Sequence, residues 1–171
     1  MNVVVFSDSH GRVSHIDEMM ARVAACGGER PRQVLFLGDG LADLAAARGL
    51  DGHSVLAVRG NCDTFFAADE PETRILGLGN YRVLMMHGHT QSVKYGLTQA
   101  VSFAVRNEVD LLLYGHTHIP FAKTLAAGEL FEGVLLKKPL CLFCPGALKD
   151  GSFGSISLTK QGILMSHGNL F

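Results

Sequence analysis

Two histidines two residues apart, His116 and His118, follow the apolar run Leu111–Tyr114 after a single glycine. Four other apolar runs end in the same manner. Val3–Phe6 leads to Ser7, Asp8, Ser9 and His10, and Val34–Leu37 to Gly38 and Asp39. Val55–Val58 leads to Arg59, Gly60 and Asn61, and Val83–Met86 to His87, Gly88 and His89. An Asp or Asn after a strand is commonly a turn former, and one histidine alone is commonly a hydrogen-bonded surface or core residue. Five clusters drawn from Asp, Asn and His exceed what turns require. Imidazole nitrogen together with carboxylate and amide oxygen suits Mn²⁺, Fe, Co²⁺, Ni²⁺ or Zn²⁺ better than Mg²⁺ or Ca²⁺. The inventory of Asp8, His10, Asp39, Asn61, His87, His116 and His118 is larger than one ion needs. It suits two ions sharing a bridging carboxylate. Such a pair, about 3.5–4 Å apart, clamps the attacking and leaving oxygens of an in-line phosphoryl displacement and supplies hydroxide near neutral pH. His116 and His118 could then offer one imidazole to each ion from a single extended segment.

The elements that must position these residues are legible around them. Each apolar tetrad is rich in β-branched or bulky residues and short enough for a strand buried on both faces. Helical patterns fall between several of them. Ser14 is expected to cap a helix over His15 to Cys26, with Asp17 and Glu18 in its first turn and Gly27-Gly28 ending it. A shorter helix is expected from Leu41 to Arg48, stopped by Gly49. A third is expected from Ser92 to Asn107, with Val93, Leu97, Ala100, Val101 and Ala104 on one face. Strands alternating with helices indicate an α/β sheet, whose ligands gather outside the carboxyl ends of the strands. Thr73 to Met86 reads as a hairpin around Gly79-Asn80. Beyond Pro120 only strand patterns remain: Phe121–Ala126, Gly133–Lys137, Leu140–Cys144, Phe153–Leu158 and Ile163–Ser166. The expectation is one domain over residues 1–171, with two packed sheets flanked by helices.

Composition narrows the function classes. The net charge of −1 comes without any basic run, so the electrostatic footprint of a dedicated nucleic-acid binder is missing. The start lacks the pattern of a signal peptide, and no apolar run approaches a membrane span. A soluble, cytoplasmic protein is expected. Cys26 reads as a small buried hydrophobe in a helix. Cys141 and Cys144 form one C-x-x-C, but on a strand residues three apart face opposite sides, and no second pair completes a four-sulfur site. Both are expected to be structural.

The ordered pieces "DSH", "GD", "GNCD", "HGH" and "GHTH", from Asp8 to His118 and through "CPGA" to Ala147, resemble the signature of calcineurin-like metallophosphoesterases. The nearest likeness is to their small single-domain phosphodiesterase branch, related in fold to the retromer subunit of eukaryotes. The resemblance implies an α/β fold, a four-layer αββα sandwich of two β-sheets flanked by helices, with a di-metal centre at the sheet edge. It implies Asp8, His10 and His118 on one ion, Asn61, His87 and His116 on the other, and Asp39 bridging both. The implied cofactors are two divalent ions, Mn²⁺ foremost, with Ni²⁺, Co²⁺, Fe or Zn²⁺ as alternatives. The implied reaction is hydrolysis of a small phosphodiester, with Asp39, Asn61 and His87 at its centre.

Two departures stand out. Cys62 replaces the histidine that many members carry after Gly-Asn and that is thought to protonate or stabilise the leaving oxygen. Cys144 replaces the Asn common before Pro-Gly, a loop variation to which no chemistry is assigned. Arg59, Cys62 and His89 are the candidate substrate contacts. Arg59 could instead pair with Asp63, and His89 could instead cap its loop. His15, His53 and His167 read as ordinary surface or strand residues. Oligomeric state stays open, a homodimer included. The rival reading is a scaffold of the same fold that binds protein partners without catalysis.

Overall fold

The computed structural model describes residues 1–26, 31–63 and 69–171. Five strands form the first sheet: β1 (Asn2–Phe6), β2 (Gln33–Phe36), β3 (Val55–Ala57), β11 (Ser152–Leu158) and β12 (Ile163–Asn169), in the order β12-β11-β1-β2-β3. The second sheet holds β4 (Thr73–Leu78), β5 (Tyr81–Met86), β6 (Leu111–Tyr114), β7 (Phe121–Leu125) and β10 (Leu140–Cys144), in the order β4-β5-β6-β10-β7. Both are mixed. β1, β2 and β3 run parallel, as do β5, β6 and β10, while β11, β12, β4 and β7 pair antiparallel. A two-residue hairpin, β8 (Leu130–Phe131) with β9 (Val134–Leu135), stands apart.

The period of two along each strand divides the apolar residues into three layers of core. Val3, Val5, Leu35 and Leu37 meet Val83, Met85, Leu111 and Leu113 between the sheets. Val4, Phe6, Val34 and Phe36 face the other way, against α1 (Val13–Ala25) and α2 (Leu41–Ala46). Leu84, Met86, Leu112 and Tyr114 pack against α3 (Thr98–Arg106). Helix, sheet, sheet, helix is the expected four-layer order. Cys141 lies in the layer between the sheets and Cys144 in the α3 layer, so the two thiols do face opposite sides.

Helix boundaries depart from expectation. α1 begins at Val13 rather than after Ser14, and Arg12 at its cap makes no side-chain capping bond. The chain entering it is held instead by Asp43, which accepts from Ser9 Oγ at 2.6 Å and Gly11 N–H at 2.9 Å. Asp17 is not a first-turn acid; it accepts the Gly49 amide at 2.7 Å. α2 ends at Ala46, and Gly49 lies within a 3₁₀ turn, Arg48–Leu50. α3 starts at Thr98 because Ser92 and Gly96 adopt positive φ, 54° and 145°, which a helix cannot continue through. Val93 and Leu97 still bury in the same core as the helix. Cys26, expected inside, is exposed at the end of α1. The stop assigned to Gly27-Gly28 lies outside the described residues. Gly133–Lys137 pairs only at Val134–Leu135. No helix among the described residues is long and apolar enough to cross a membrane.

One close approach lies between the sheets. A Cβ on Gly154 of β11 would lie 2.3 Å from a ring carbon of Phe143 on β10. Gly154→Ala should therefore cost about 1–3 kcal/mol by overpacking, read from denaturant unfolding. In a Phe143→Leu background the same alanine should cost clearly less. Equal cost in both backgrounds would exclude this contact as the cause.

Candidate metal centre

Parallel strands deliver their carboxyl ends to one edge, and the two sheets deliver them to the same edge. Asp8 and His10 follow β1, Asp39 follows β2, and Asn61 follows β3 on the first sheet. His87 follows β5, and His116 and His118 follow β6 on the second. Hydrogen bonds across the seam hold the halves in register. His87 Nδ1 donates to the Leu37 carbonyl at 2.8 Å, and the His116 amide donates to Asp8 Oδ2 at 3.2 Å.

Two groups of donors result: Asp8 with His10 and His118, and Asp39 with His87 and His116. His118 Nε2 lies 3.1 Å and His10 Nε2 3.7 Å from Asp8 Oδ1. Asp39 Oδ2 stands between the groups, 3.4 Å from His87 Nε2 and 3.9 Å from His10 Nε2. Because Nδ1 of His87 serves Leu37, Nε2 carries the lone pair of the neutral ring. That nitrogen faces Asn61 Oδ1 at 3.2 Å and His116 Nδ1 at 3.1 Å as well as Asp39. Four atoms able to ligate converge on one point, and a proton or a cation among them makes that arrangement attractive. The donor set therefore fits a divalent ion in chemistry as well as in distance.

Burial opposes charge on Asp39 and His87 alike. Their mutual hydrogen bond and charge outweigh it, holding the Asp39 carboxyl well below the usual range and raising the His87 imidazole, so that without a cation a proton on Nε2 fills the place between them. Burial, then His87 and Lys94, push His116 down to about 4, so its ring is neutral and free to ligate. Partial burial, then the Asp39 and Asp63 carboxylates, push the Cys62 thiol up to about 11. Without a cation Cys62 is no thiolate nucleophile.

Five of the seven donors sit in left-handed backbone: Asp8, His10, Asp39, His116 and His118, with φ from 44° to 66°. Such conformations cost of order 1–3 kcal/mol each and persist only where the surroundings enforce them. Asp63 supplies much of that enforcement. Its carboxylate accepts the amides of Asp39, Gly40, Leu41 and Gly60 at 2.7 to 2.9 Å. Gly60 is required where β3 ends, since a Cβ there would lie 2.0 Å from Asp39 Oδ1. Gly115 is required likewise, with Ser7 Oγ 2.1 Å from its would-be Cβ. Ser7 in turn donates to the buried Asp8 carboxylate.

Asp63, Asp43 and Ser7 escaped the sequence reading as organisers of the site. The one available signal was a carboxylate three residues after Gly60, a spacing at which an Asp can gather turn amides. Arg59 pairs with Glu72 at 3.1 Å rather than with Asp63. His89 lies with its ring 5.4 Å from that of His87; its Nδ1 is buried without a partner, and its Nε2 is 3.9 Å from Glu72. Cys144 ends β10 instead of lying in a loop, its Sγ 3.4 Å from Thr117 Oγ1, under the turn that carries His116 and His118.

A model of the calcineurin-like phosphoesterase superfamily domain matches residues 1–168. The chain belongs to this superfamily. It is 28% identical to a probable metallophosphoesterase of Bacillus subtilis, YsnB, over 94% of this chain and 86% of that one. It is 29% identical to the phosphodiesterase YfcE of Escherichia coli, over 99% and 87%. Among solved structures, Vps29 of Entamoeba histolytica complexed with zinc superposes with a TM-score of 0.67 at 18% identity, covering 99% of both chains. That likeness is one of fold. The metallophosphoesterase family and the two donor groups agree on a metal-dependent hydrolase.

The role given to Asp63 is open to measurement. Asp63→Asn keeps the side chain's shape and removes its charge and two of its acceptor sites. Metal affinity by calorimetry should fall about 10–100-fold, as for other groups that orient ligands, in protein whose circular dichroism is unchanged. Unaltered affinity would show that the four amides are held by the fold alone.

Proposed function

We propose that the protein is a phosphodiesterase working with two divalent ions, and that the seven donors divide as the family motif implies. Asp8, His10 and His118 would hold one ion, Asn61, His87 and His116 the other, with Asp39 shared. The observation that carries this reading is His87 Nε2, which faces Asn61 Oδ1, His116 Nδ1 and Asp39 Oδ2, all atoms able to ligate one ion. When bound, two such ions polarise the phosphoryl oxygens and make hydroxide available near neutral pH. The chain's own contribution is orientation. Leu37 fixes the tautomer of His87, Asp63 and Cys62 fix Asp39, and Ser7 with the His116 amide fixes Asp8. Mn²⁺ is the ion we place first, with Co²⁺, Ni²⁺, Fe and Zn²⁺ compatible with four imidazoles. The likeness to Vps29 is consistent with a scaffold role, but all seven donor positions are filled, and that favours catalysis.

Asp39→Asn is the direct test, since this carboxylate alone is assigned to both ions. Turnover of a phosphodiester should fall to background, and binding of both metal equivalents should weaken. In chelator-treated wild-type protein Mn²⁺ should restore more activity than Mg²⁺. A folded Asp39→Asn protein with full activity, or a best rate with Mg²⁺, would sink the assignment.

Cys62 supports the diester preference. A monoester dianion needs a proton or positive charge at its leaving oxygen, and a positioned general acid typically contributes about 10²–10⁴-fold. A thiol is a poor donor there, and a thiolate would repel the dianion, whereas a diester carries one charge fewer. Cys62→His should raise the monoester-to-diester ratio of kcat/KM, by up to about 10²-fold. If the wild type already favours the monoester, or the ratio moves toward the diester, Cys62 does not set the preference.

A further inference from the structure

Cys62 belongs to a third group of donor atoms that overlaps the two already described. Its Sγ, a ring nitrogen of His10 and a carboxylate oxygen of Asp39 all lie within 4.8 Å of one another. Donors on one tetrahedral ion, at about 2.1 Å for nitrogen or oxygen and about 2.3 Å for sulfur, lie about 3.4–3.6 Å apart. The three atoms would therefore close by about 1.3 Å at most on taking up one ion. Its position is held from two directions. The Cys62 amide donates to Asp39 Oδ1 at 2.7 Å, and Asn61 Nδ2 donates to Cys62 Sγ at 3.3 Å. Asn61 thereby spans the centre, with Oδ1 toward His87 and Nδ2 toward the sulfur. Cys62 is exposed, so an ion can reach it from solvent.

We propose that Cys62 is itself a metal ligand, its sulfur joining His10 and Asp39 on the ion that Asp8 and His118 also hold. The proposal rests on the two-ion reading above. Ligation forms one sulfur–metal bond, and the thiol proton leaves to solvent. The family's usual histidine at this place would leave the centre with nitrogen and oxygen donors only. Here one soft donor enters, which raises affinity for Zn²⁺ and Co²⁺ relative to Mn²⁺. It also adds a negative charge beside the ion, in keeping with selection against dianionic substrates.

Cobalt is the probe, because thiolate ligation gives Co²⁺ a near-ultraviolet charge-transfer band that nitrogen and oxygen ligands do not. The band should appear when Co²⁺ is titrated into Cys26→Ser protein, which lacks the other exposed thiol. It should be at least about tenfold weaker in Cys26→Ser/Cys62→Ser protein that still binds two equivalents by equilibrium dialysis. The Zn²⁺-to-Mn²⁺ affinity ratio should fall about tenfold or more between the same two proteins. Two bound equivalents without the band in Cys26→Ser protein, or a band that survives Cys62→Ser, would overturn the Cys62 assignment and leave the two-ion reading standing. Fewer than two equivalents in both proteins would overturn the two-ion reading itself.

Discussion

Asp39 Oδ2 stands within 4 Å of the ring nitrogens of His87 and His10, and the rest of the site exists to keep it there. A carboxylate and imidazole lone pairs gathered this closely repel one another unless a positive charge lies among them. The protein resists that repulsion with backbone. Strands β1, β2 and β3 stop together, β5 and β6 stop opposite them, and left-handed residues at the stops turn the donors inward. Asp63 and Asp43 then tie the turns with amide and hydroxyl donors, so strained conformations are enforced from beneath. The local strain is one the fold can bear because the three core layers are continuous and almost wholly apolar.

The part of this visible in the sequence is the part governed by strand geometry. A buried tetrad followed at once by Asp, Asn or His places that residue at the carboxyl edge, whatever the loops do. The alternation within "VVVF" likewise foretells which side chains face the other sheet and which face α1. The helix starts were less legible because they are set by partners distant in sequence. Ser14 carried the local capping signal, worth about 1 kcal/mol, but Asp43, some thirty residues on, takes hold of Gly11 and Ser9 and lets α1 begin earlier. Val93 and Leu97 had helical spacing, yet both reach their core from a turn, so burial alone could not tell the two apart.

Asp63 was hidden for a related reason. Its neighbours in sequence suggest only a turn, and its partners at Asp39, Gly40 and Leu41 come within reach only because β3 pairs beside β2. Cys26 misled in the opposite sense. An apolar helical pattern implied burial, but the last turn of α1 is exposed. In each case the missing information was which elements are neighbours, a property of the whole topology.

The division of the donors between two sheets has a consequence for synthesis. Asp8, His10, Asp39 and Asn61 are made before His116 and His118, which stand more than a hundred residues after Asp8. β1 also acquires its second neighbour only when β11 is made, since Asn2 pairs with Ser157. A nascent chain therefore carries an open half-centre of two carboxylates, one amide and one imidazole until β5 and β6 are made. The first sheet is complete only once β11 and β12 have been added beside β1.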